Sequence, residues 1–389
     1  MSRVAMRSLS LAFAVFLAWT HALADDQQAQ IQALLDHFQS DYGFPGATAA
    51  IAWPDGRVDS VATGVADRET GLPMTPASRM LAASIGKSFV AATVLALESI
   101  GVLERDAPVI DHLGDRDWFA RLPNHDTMTI HNLLRHSSGL PDHVHTDAFA
   151  AQMAKNVATG QGAPTPEEAI IFVLDTDPLF PSGAGWAYSD TGYLLLGLII
   201  EQVSARSYYD LVSEHFIVPL ALTETAPSNR RALPALVAGY TAQTNAFGLP
   251  VRTMDDNGRL LWDPAVEWTG GGLVSTSRDL AIWGHALFGG RAMATPYLER
   301  LLDGFEISRG PPNVLYGAGV AIYNDTPRGN VYGHGGWVPG YASSLRHYAD
   351  LDVTIAFQIN TDVGIVDDST DLVPALEEAL AVLAEQRIN

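Results

Sequence analysis

The sequence predicts a fold that combines an α/β part with an all-α part. Strand-like segments occur near both ends of the chain, helix-like segments dominate its middle, and a helix is predicted at each end. We therefore expect one antiparallel sheet built from both chain ends, flanked by the terminal helices, with an inserted helical domain. The sheet domain is placed at residues 25–83 and 266–389 and the mostly helical domain at 84–265, with a cleft between them.

The first elements follow from hydrophobic periodicity. Apolar residues at helical spacing predict a helix over Gln27–Gln39. Two short segments, Ala47–Trp53 and Arg57–Thr63, predict strands joined by a turn at Pro54-Asp55-Gly56. The segment Ser84–Glu98 is almost wholly apolar, which predicts a helix buried on all sides.

The later elements alternate in type. A second apolar helix is predicted from about Thr191 to Val203. Three short strands are predicted at Val331–Tyr332, Tyr341–His347 and Val353–Ile359. A hairpin turn at Ala349–Asp352 joins the last two strands. A final helix over Leu372–Glu385 completes the elements.

Composition excludes several classes of protein. The 389 residues are 47% hydrophobic and 17% charged, which is typical of a globular chain with a large core. The absence of Cys excludes a disulfide scaffold, a Cys nucleophile and thiolate metal sites. A formal charge of -21 argues against nucleic acid and anionic membranes as partners. Only Lys87 and Lys155 are lysines, so a Lys inside an apolar segment needs an explanation.

Residues 1–24 have the pattern of a secretory signal peptide. Two arginines precede the apolar run Leu9–Trp19, and Ala22-Leu23-Ala24 gives a small-x-small cleavage pattern. A membrane anchor is the alternative, but a run of eleven apolar residues is too short to span a bilayer. We expect cleavage after Ala24, a periplasmic or secreted protein, and no membrane span in the mature chain.

The first candidate for chemistry is Ser84-Ile85-Gly86-Lys87. Positions i and i+3 of a helix share one face, and a Ser at a helix start has an unpaired N–H at the positive end of the dipole. Burial would lower the pKa of Lys87, so that Lys87 could activate the Ser84 hydroxyl without a histidine. The alternative is a Ser N-cap and a Lys that extends to the surface.

Two further segments carry polar groups. In Tyr188-Ser189-Asp190, a Tyr hydroxyl near a protonated Lys can act as a base; alternatively, Tyr188 is an ordinary buried aromatic and Asp190 an N-cap. Gly333-His334-Gly335-Gly336-Trp337 lies where a strand is expected. Its glycines allow a substrate backbone to approach, a following N–H can complete an oxyanion hole, and His334 offers a donor to a substrate carboxylate or carbonyl. The alternative is a Gly-rich bulge with a rim histidine.

Other motif patterns in the sequence do not indicate a metal site, a phosphate-binding loop or an α/β-hydrolase. His143-Val144-His145-Thr146-Asp147 has metal-ligand spacing, but no further ligand cluster matches it, which favours a surface loop. Gly86-Lys87-Ser88 is similar to the end of a phosphate-binding loop, but that motif needs Gly at position 81, which is Leu81. No Gly-x-Ser-x-Gly elbow is present. We expect no metal and no cofactor.

Together the motifs resemble the serine β-lactamase-related family, which holds class C β-lactamases, D-alanyl-D-alanine carboxypeptidases, D-aminopeptidases and family VIII esterases. The likeness extends from about residue 30 to 385. It is carried by Ser84-x-x-Lys87, Tyr188-Ser189-Asp190 and His334-Gly335-Gly336, with support from Thr129–Leu140 and Gly270–Thr276.

The resemblance implies a β-lactamase/transpeptidase-like fold and an acyl-enzyme mechanism. Ser84 would be the nucleophile, and Lys87 and Tyr188 the proton-handling pair, with the choice of base left open because the two can titrate together. The N–H groups of Ser84 and Trp337 would form the oxyanion hole. The substrate-binding residues would be Asp190, His334, Gly335 and Gly336.

Two positions depart from the family pattern. Asp190 stands where Asn is usual; an ionised carboxylate only accepts hydrogen bonds, would hold Lys87 protonated and would shift the base role toward Tyr188. We therefore expect substrates with an NH or amine at that point. His334 stands where the β-lactamases commonly carry Lys, which is more similar to the peptidase, aminopeptidase and esterase branches.

The sequence therefore favours an exported, cofactor-free serine hydrolase of the D-alanyl-D-alanine carboxypeptidase type, or one that hydrolyses D-amino-acid peptides or amides. The alternatives are a family VIII-type esterase, a class C-like β-lactamase, or a slowly turning over penicillin-binding or sensor protein. The expected partners are small peptide, amide or ester substrates, with β-lactams as further candidates.

Overall fold

The computed structural model describes residues 27–307 and 310–388. The predicted signal peptide lies outside the described residues. Within these two ranges no helix combines the length and the apolar character needed to cross a bilayer.

Twelve strands form two sheets in the described ranges. They are β1 (Gly46–Ala52), β2 (Val58–Asp67), β3 (Leu72–Pro73), β4 (Met80–Leu81), β5 (Ala226–Pro227), β6 (Leu273–Ser275), β7 (Phe305–Glu306), β8 (Val314–Tyr316), β9 (Ala321–Thr326), β10 (Gly329–Val338), β11 (Tyr341–Tyr348) and β12 (Val353–Ile359). The large sheet has the order β3-β2-β1-β12-β11-β10-β9-β8-β7, and the small sheet the order β4-β6-β5.

Strands from the two chain ends meet at the middle of the large sheet. β1 and β12 pair antiparallel, with Ala47 opposite Ile359. Every residue of both strands is buried, as expected for central strands covered on both faces. The predicted sheet of both chain ends is therefore confirmed. β10 is longer than predicted because the Gly-rich segment continues the strand to Val338.

Helices surround the sheets. They are α1 (27–42), α2 (Gly86–Ser99), α3 (Ile110–Leu113), α4 (Ile130–Leu134), α5 (Asp147–Thr159), α6 (Pro166–Ile170), α7 (Asp190–Ser204), α8 (Tyr208–Val212), α9 (Ser277–Phe288), α10 (Tyr297–Leu301) and α11 (Leu372–Ile388). Helices α2 to α8 lie between β4 and β5 along the chain, which is the segment that the sequence predicts as helical. The domain boundaries themselves stay a prediction.

Alternate residues of β1 face two different hydrophobic cores. Ala49 and Ile51 pack with residues of α1 and α11, such as Leu35 and Leu376. Ala50, between them, belongs to the core on the opposite face. The period of two along the strand thus places the terminal helices on one face of the sheet, as predicted. The opposite face is covered by α9, a helix that the sequence analysis missed.

Helix α2 lies at the centre of the larger core and is buried from Gly86 to Leu97. The Phe89 ring stacks on Trp283 of α9, with the ring centroids 3.9 Å apart. The Trp283 indole N–H donates to Ser88 Oγ at 2.8 Å. The α-helix begins two residues later than predicted, because Ser84 lies in a separate 3₁₀ turn, Ala83–Ile85.

A buried pair of hydroxyls fixes α9 to β1, and we expect its loss to reduce stability. Thr48 Oγ1 and Ser277 Oγ are 2.6 Å apart, and Ser277 Oγ also donates to the Thr48 carbonyl at 3.0 Å. Ser277→Ala leaves the buried Thr48 hydroxyl without this partner and should lower the free energy of unfolding by about 1–3 kcal/mol. Thr48→Val removes the hydrogen bond between the hydroxyls, whereas Ser277 Oγ keeps the Thr48 carbonyl, so the loss should be about 1 kcal/mol. The double variant should lose less than the sum of the two.

Urea unfolding of the four proteins completes this double-mutant cycle. The exposed Ser99→Ala variant is the control and should change stability by less than about 0.5 kcal/mol. Strictly additive losses would contradict the coupling.

Candidate active site

A cavity of about 380 Å³ brings together most of the predicted site residues. Its wall includes Ser84, Tyr188, Asp190, His334, Gly335, Gly336 and Trp337. Lys87 lies behind Ser84 and is fully buried. Residues that are more than 250 positions apart in the sequence thus form one site, as the three motifs predict.

The turn that carries Ser84 is held by the large sheet. Ser343 Oγ of β11 donates to the Ala82 carbonyl at 2.9 Å, and Gln358 Nε2 of β12 donates to the Met80 carbonyl at 3.3 Å. Ala83 has φ = 50°, a left-handed conformation that is strained for a residue with a side chain. Ser84 is partly exposed between buried neighbours, so its hydroxyl is presented to the cavity.

Two glycines allow other backbones to contact this turn. A Cβ on Gly336 of β10 would lie 2.4 Å from the Ala82 carbonyl oxygen, and a Cβ on Gly271 would lie 2.5 Å from the carbonyl carbon of Ala83. Both glycines therefore allow the backbones of their segments to lie directly against the turn that carries Ser84. Trp337 follows at the cavity wall and is 37% exposed. The oxyanion hole of Ser84 and Trp337 N–H groups stays a prediction.

Lys87 contacts both the Ser84 hydroxyl and the Asp190 carboxylate. Its Nζ donates to Ser84 Oγ at 3.2 Å, contacts the Gly270 carbonyl and forms an ion pair with Asp190. Burial is the largest single effect and would lower the pKa of Lys87, but the charge and hydrogen bonding of Asp190, together with those of Tyr188, outweigh it and raise that pKa above its usual value. Lys87 is therefore an ammonium group in the free protein.

Tyr188 retains its proton as well. Its hydroxyl is enclosed and has no hydrogen-bond partner of normal geometry in the described part of the chain. Burial raises the pKa of Tyr188 above its usual value, although the Lys87 charge acts in the opposite direction. Tyr188 is therefore protonated in the free protein. The choice between Lys87 and Tyr188 as the base stays a prediction.

His334 makes contacts within the protein through both ring nitrogens. Nδ1 contacts the Gly335 carbonyl, which can only accept, so this nitrogen carries the proton. Nε2 then accepts from the Tyr316 hydroxyl at 2.7 Å. Burial, followed by the Lys87 charge, lowers the pKa of His334 to about 3. In this arrangement neutral His334 has no free donor for a substrate, which differs from the donor role expected from the Gly-rich motif.

The sequence analysis missed two residues of the site. His136 is buried, its ring centroid is 4.2 Å from that of Tyr188, and its Nδ1 accepts from the Ser189 N–H at 3.2 Å. Burial, followed by the Lys87 charge, lowers the pKa of His136 well below its usual value. His136 lies inside the segment Thr129–Leu140, which supports the family resemblance. That position could have indicated that this histidine lies near the site. Tyr316 stands alone on β8 and offered no such signal.

No metal ligands converge on the cavity in the described residues. His143, from the segment with metal-ligand spacing, is buried, and its Nδ1 is 3.1 Å from Thr191 Oγ1. A group with ligand atoms within 4.8 Å of one another is instead His285, His347 and Asp352, outside the cavity wall. The Arg291 guanidinium, 3.6 Å from the Asp352 carboxylate, competes with a cation there.

Comparison with known proteins places this geometry in a family. The sequence model described as Beta-lactamase matches residues 31–380. Penicillin-binding protein 4* of Bacillus subtilis is 27% identical to the chain, over 87% of this chain and 73% of that protein. A D-aminopeptidase of Brucella anthropi is 23% identical, over 86% of this chain and 59% of that protein.

A solved structure shares the whole architecture. The D-stereospecific amidohydrolase from Streptomyces superposes with a TM-score of 0.73 and 28% identity, over 86% of this chain and 94% of that one. The predicted β-lactamase/transpeptidase-like fold is therefore confirmed. The family match covers most of the sequence, and the chain belongs to the Beta-lactamase family, a family of serine hydrolases.

Proposed function

We propose that the protein hydrolyses D-amino-acid amides or short peptides through an acyl-enzyme on Ser84. The observation that carries this proposal is the 3.2 Å hydrogen bond from Lys87 Nζ to Ser84 Oγ at the wall of an enclosed cavity. The similarity to a D-aminopeptidase and to a D-stereospecific amidohydrolase supports an amide as the scissile group.

Acylation starts with a proton shift inside the buried ion pair. Lys87 passes one proton to Asp190, and neutral Lys87 then takes the Ser84 hydroxyl proton as Oγ attacks the substrate carbonyl carbon. Substrate binding favours this shift because it removes water from the cavity. The negative charge that develops on the carbonyl oxygen is stabilised by the N–H groups of Ser84 and Trp337.

Collapse of the tetrahedral intermediate restores the carbonyl and breaks the C–N bond. Tyr188 donates its proton to the leaving nitrogen, and the amine departs. Lys87 then reprotonates Tyr188, and Asp190 returns its proton to Lys87. In deacylation Asp190 again takes one proton from Lys87, and neutral Lys87 accepts a proton from the attacking water molecule. The intermediate collapses with cleavage of the bond to Ser84 Oγ, Lys87 protonates Ser84 Oγ, and Asp190 returns its proton to Lys87.

Replacement of the nucleophile should abolish hydrolysis. Ser84→Ala should lower kcat/KM for D-alaninamide by about 10³-fold or more, because no acyl-enzyme can form. Ammonia release with D- and L-alaninamide gives the measurement, and Ser99→Ala is the control. D-selective, Ser84-dependent release is the expected result.

Two other substrates distinguish the alternatives. Ser84-dependent hydrolysis of 4-nitrophenyl acetate without amide hydrolysis would indicate an esterase. A lasting mass adduct or consumption of benzylpenicillin, again without amide hydrolysis, would indicate a penicillin-binding protein or a β-lactamase respectively. Either result would contradict the proposed amide specificity.

Removal of the Asp190 charge should move the pH profile. In Asp190→Asn, burial would lower the pKa of Lys87 without an opposing carboxylate, and Lys87 would have to lose its proton to solvent before it could accept one from Ser84. We expect kcat/KM at pH 5.5 to fall by about tenfold or more, and to approach the wild-type value as the pH rises and Lys87 deprotonates. The exposed Asp210→Asn variant is the control.

Profiles of kcat/KM from pH 5 to 10 provide the test for all three proteins. Identical acidic limbs for the wild type and Asp190→Asn would show that Asp190 takes no part in proton transfer.

We also propose that the protein is exported, with cleavage after Ala24. Its signal sequence predicts a mature chain that begins at Asp25. Amino-terminal sequencing of protein from the periplasm or the medium should find this residue, whereas a protein that retains Met1 in the cytoplasm would contradict export.

A further inference from the structure

The cavity wall carries two carboxyl groups that the proposed mechanism does not use. Asp142 and Glu267 line the same cavity as Ser84 and Asp190. Lys87 neutralises Asp190, but no Lys or Arg side chain of residues 27–307 and 310–388 forms a recorded ion pair with the other two acids. When Asp142 and Glu267 are ionised, the cavity therefore contains more negative than positive charge.

Asp142 is the more enclosed of these two acids. Its side chain is 5% exposed, and its Oδ1 accepts from the Val144 N–H at 3.2 Å. Its Oδ2 is buried and has no hydrogen-bond partner of normal geometry in the described ranges. The nearest imidazole nitrogens belong to His143 and His145, at 3.7 and 3.9 Å from the carboxylate. Burial lowers the pKa of His143 to about 4, so His143 supplies no charge at neutral pH.

The remainder of this wall is apolar. It is formed by Phe149, Met153, Leu194, Phe247, Trp262 and Val266. Trp262 is 3% exposed, so it contributes to the wall mainly as part of the hydrophobic core. Apolar walls next to unpaired carboxylates are complementary to a group with a hydrocarbon stem and a positively charged end.

The free protein is destabilised by this arrangement. Burial, followed by the charge of Asp190, raises the pKa of Asp142 to about 7 and that of Glu267 to about 8. The charged and titratable groups that face these two acids are Lys87, Asp190, His143, His145 and Tyr209. Lys87 alone among these groups supplies a lasting positive charge, and it is already paired. A bound cation would supply the missing charge.

We propose that Asp142 and Glu267 bind an ammonium group on the acyl half of the substrate, carried on an apolar stem. This inference rests on the proposed function and narrows its substrate class to amine-bearing acyl groups. A basic D-residue such as D-lysine presents both the stem and the ammonium group. An α-ammonium group is the other source, but it would lie close to the reacting carbonyl, where the Lys87 ammonium repels it.

The test compares substrates that differ by one amine. D-Lysinamide and D-norleucinamide have the same four-carbon side chain, and only the former ends it in an ammonium group. Their Nα-acetyl derivatives lack the α-ammonium group. Turnover is measured with the wild type, Asp142→Asn, Glu267→Gln and the double variant. Asp147→Asn is the matched control, because Asp147 is exposed, close in sequence and absent from the cavity wall.

We expect the wild type to prefer D-lysinamide over D-norleucinamide by about tenfold or more, as typical for a hydrogen-bonded charge. The double variant should lose this preference, and Asp147→Asn should keep it. A preference that instead separates free from Nα-acetylated substrates, and is lost in the same variants, would assign the ammonium to the α-position. Ratios that the variants do not change would overturn the inference.

Binding to Ser84→Ala decides the inference without turnover. Calorimetry with the same four amides should show tighter binding of the amine-bearing ligand, and addition of Asp142→Asn and Glu267→Gln to this inactive protein should remove the difference. If the wild type hydrolyses none of the amides, the proposed function fails. The affinity ratios still support or overturn the amine subsite in that case.

Stability provides a readout that a structural role would not give. Because both carboxyl pKa values are raised on folding, the native state binds more protons than the unfolded state between about pH 4 and 8, and stability falls as the pH rises through this window. The double variant should therefore unfold at a temperature higher than the wild type at pH 8.5, by about 2 °C or more. A lower unfolding temperature at this pH would indicate that the two acids serve the fold instead.

Discussion

The ion pair between Lys87 and Asp190 is the interaction on which the site depends. A fully buried ammonium group is very costly unless it is paired and hydrogen-bonded. Here Asp190, the Gly270 carbonyl and Ser84 Oγ supply its partners, and each comes from a different segment. The Lys87 ammonium group thus fixes three segments relative to α2: helix α7, the segment before β6 and the 3₁₀ turn that carries Ser84. In the proposed mechanism the same pair also relays the proton of Ser84.

Much of the fold follows from local pattern. Helices α2 and α7 were predictable because their long apolar runs are strong signals. The central strands β1 and β12 were predictable because they are short apolar runs next to turn residues. Helix α9 was missed although nine of its twelve residues are buried, because Gly284 and His285 interrupt its apolar character. The shortest strands, such as β4 with two residues, depend on tertiary pairing and leave no pattern of their own.

The convergence of Ser84, Tyr188, Asp190 and His334 on one cavity was predictable for a different reason, since each stands in a short motif whose order is informative. Their catalytic roles stay a prediction. What the sequence could not provide is the state of each group. The neutral form of His334 depends on a hydrogen bond from Tyr316, eighteen positions away on another strand. The enclosure of Asp142 depends on walls contributed by distant segments. Its place in the sequence, just before the segment with metal-ligand spacing, therefore gave no indication that its pKa is raised.

The central pairing of β1 with β12 has a consequence for the order of folding. Ala47 and Ile359 are neighbours in the sheet but more than 300 residues apart in the chain. Contacts of such long sequence separation are costly in loop-closure entropy and form late. During synthesis β1 therefore remains unpaired with β12 until nearly the whole chain has left the ribosome. A nascent chain that cannot complete its core remains extended, which is the state that a membrane translocation channel accepts.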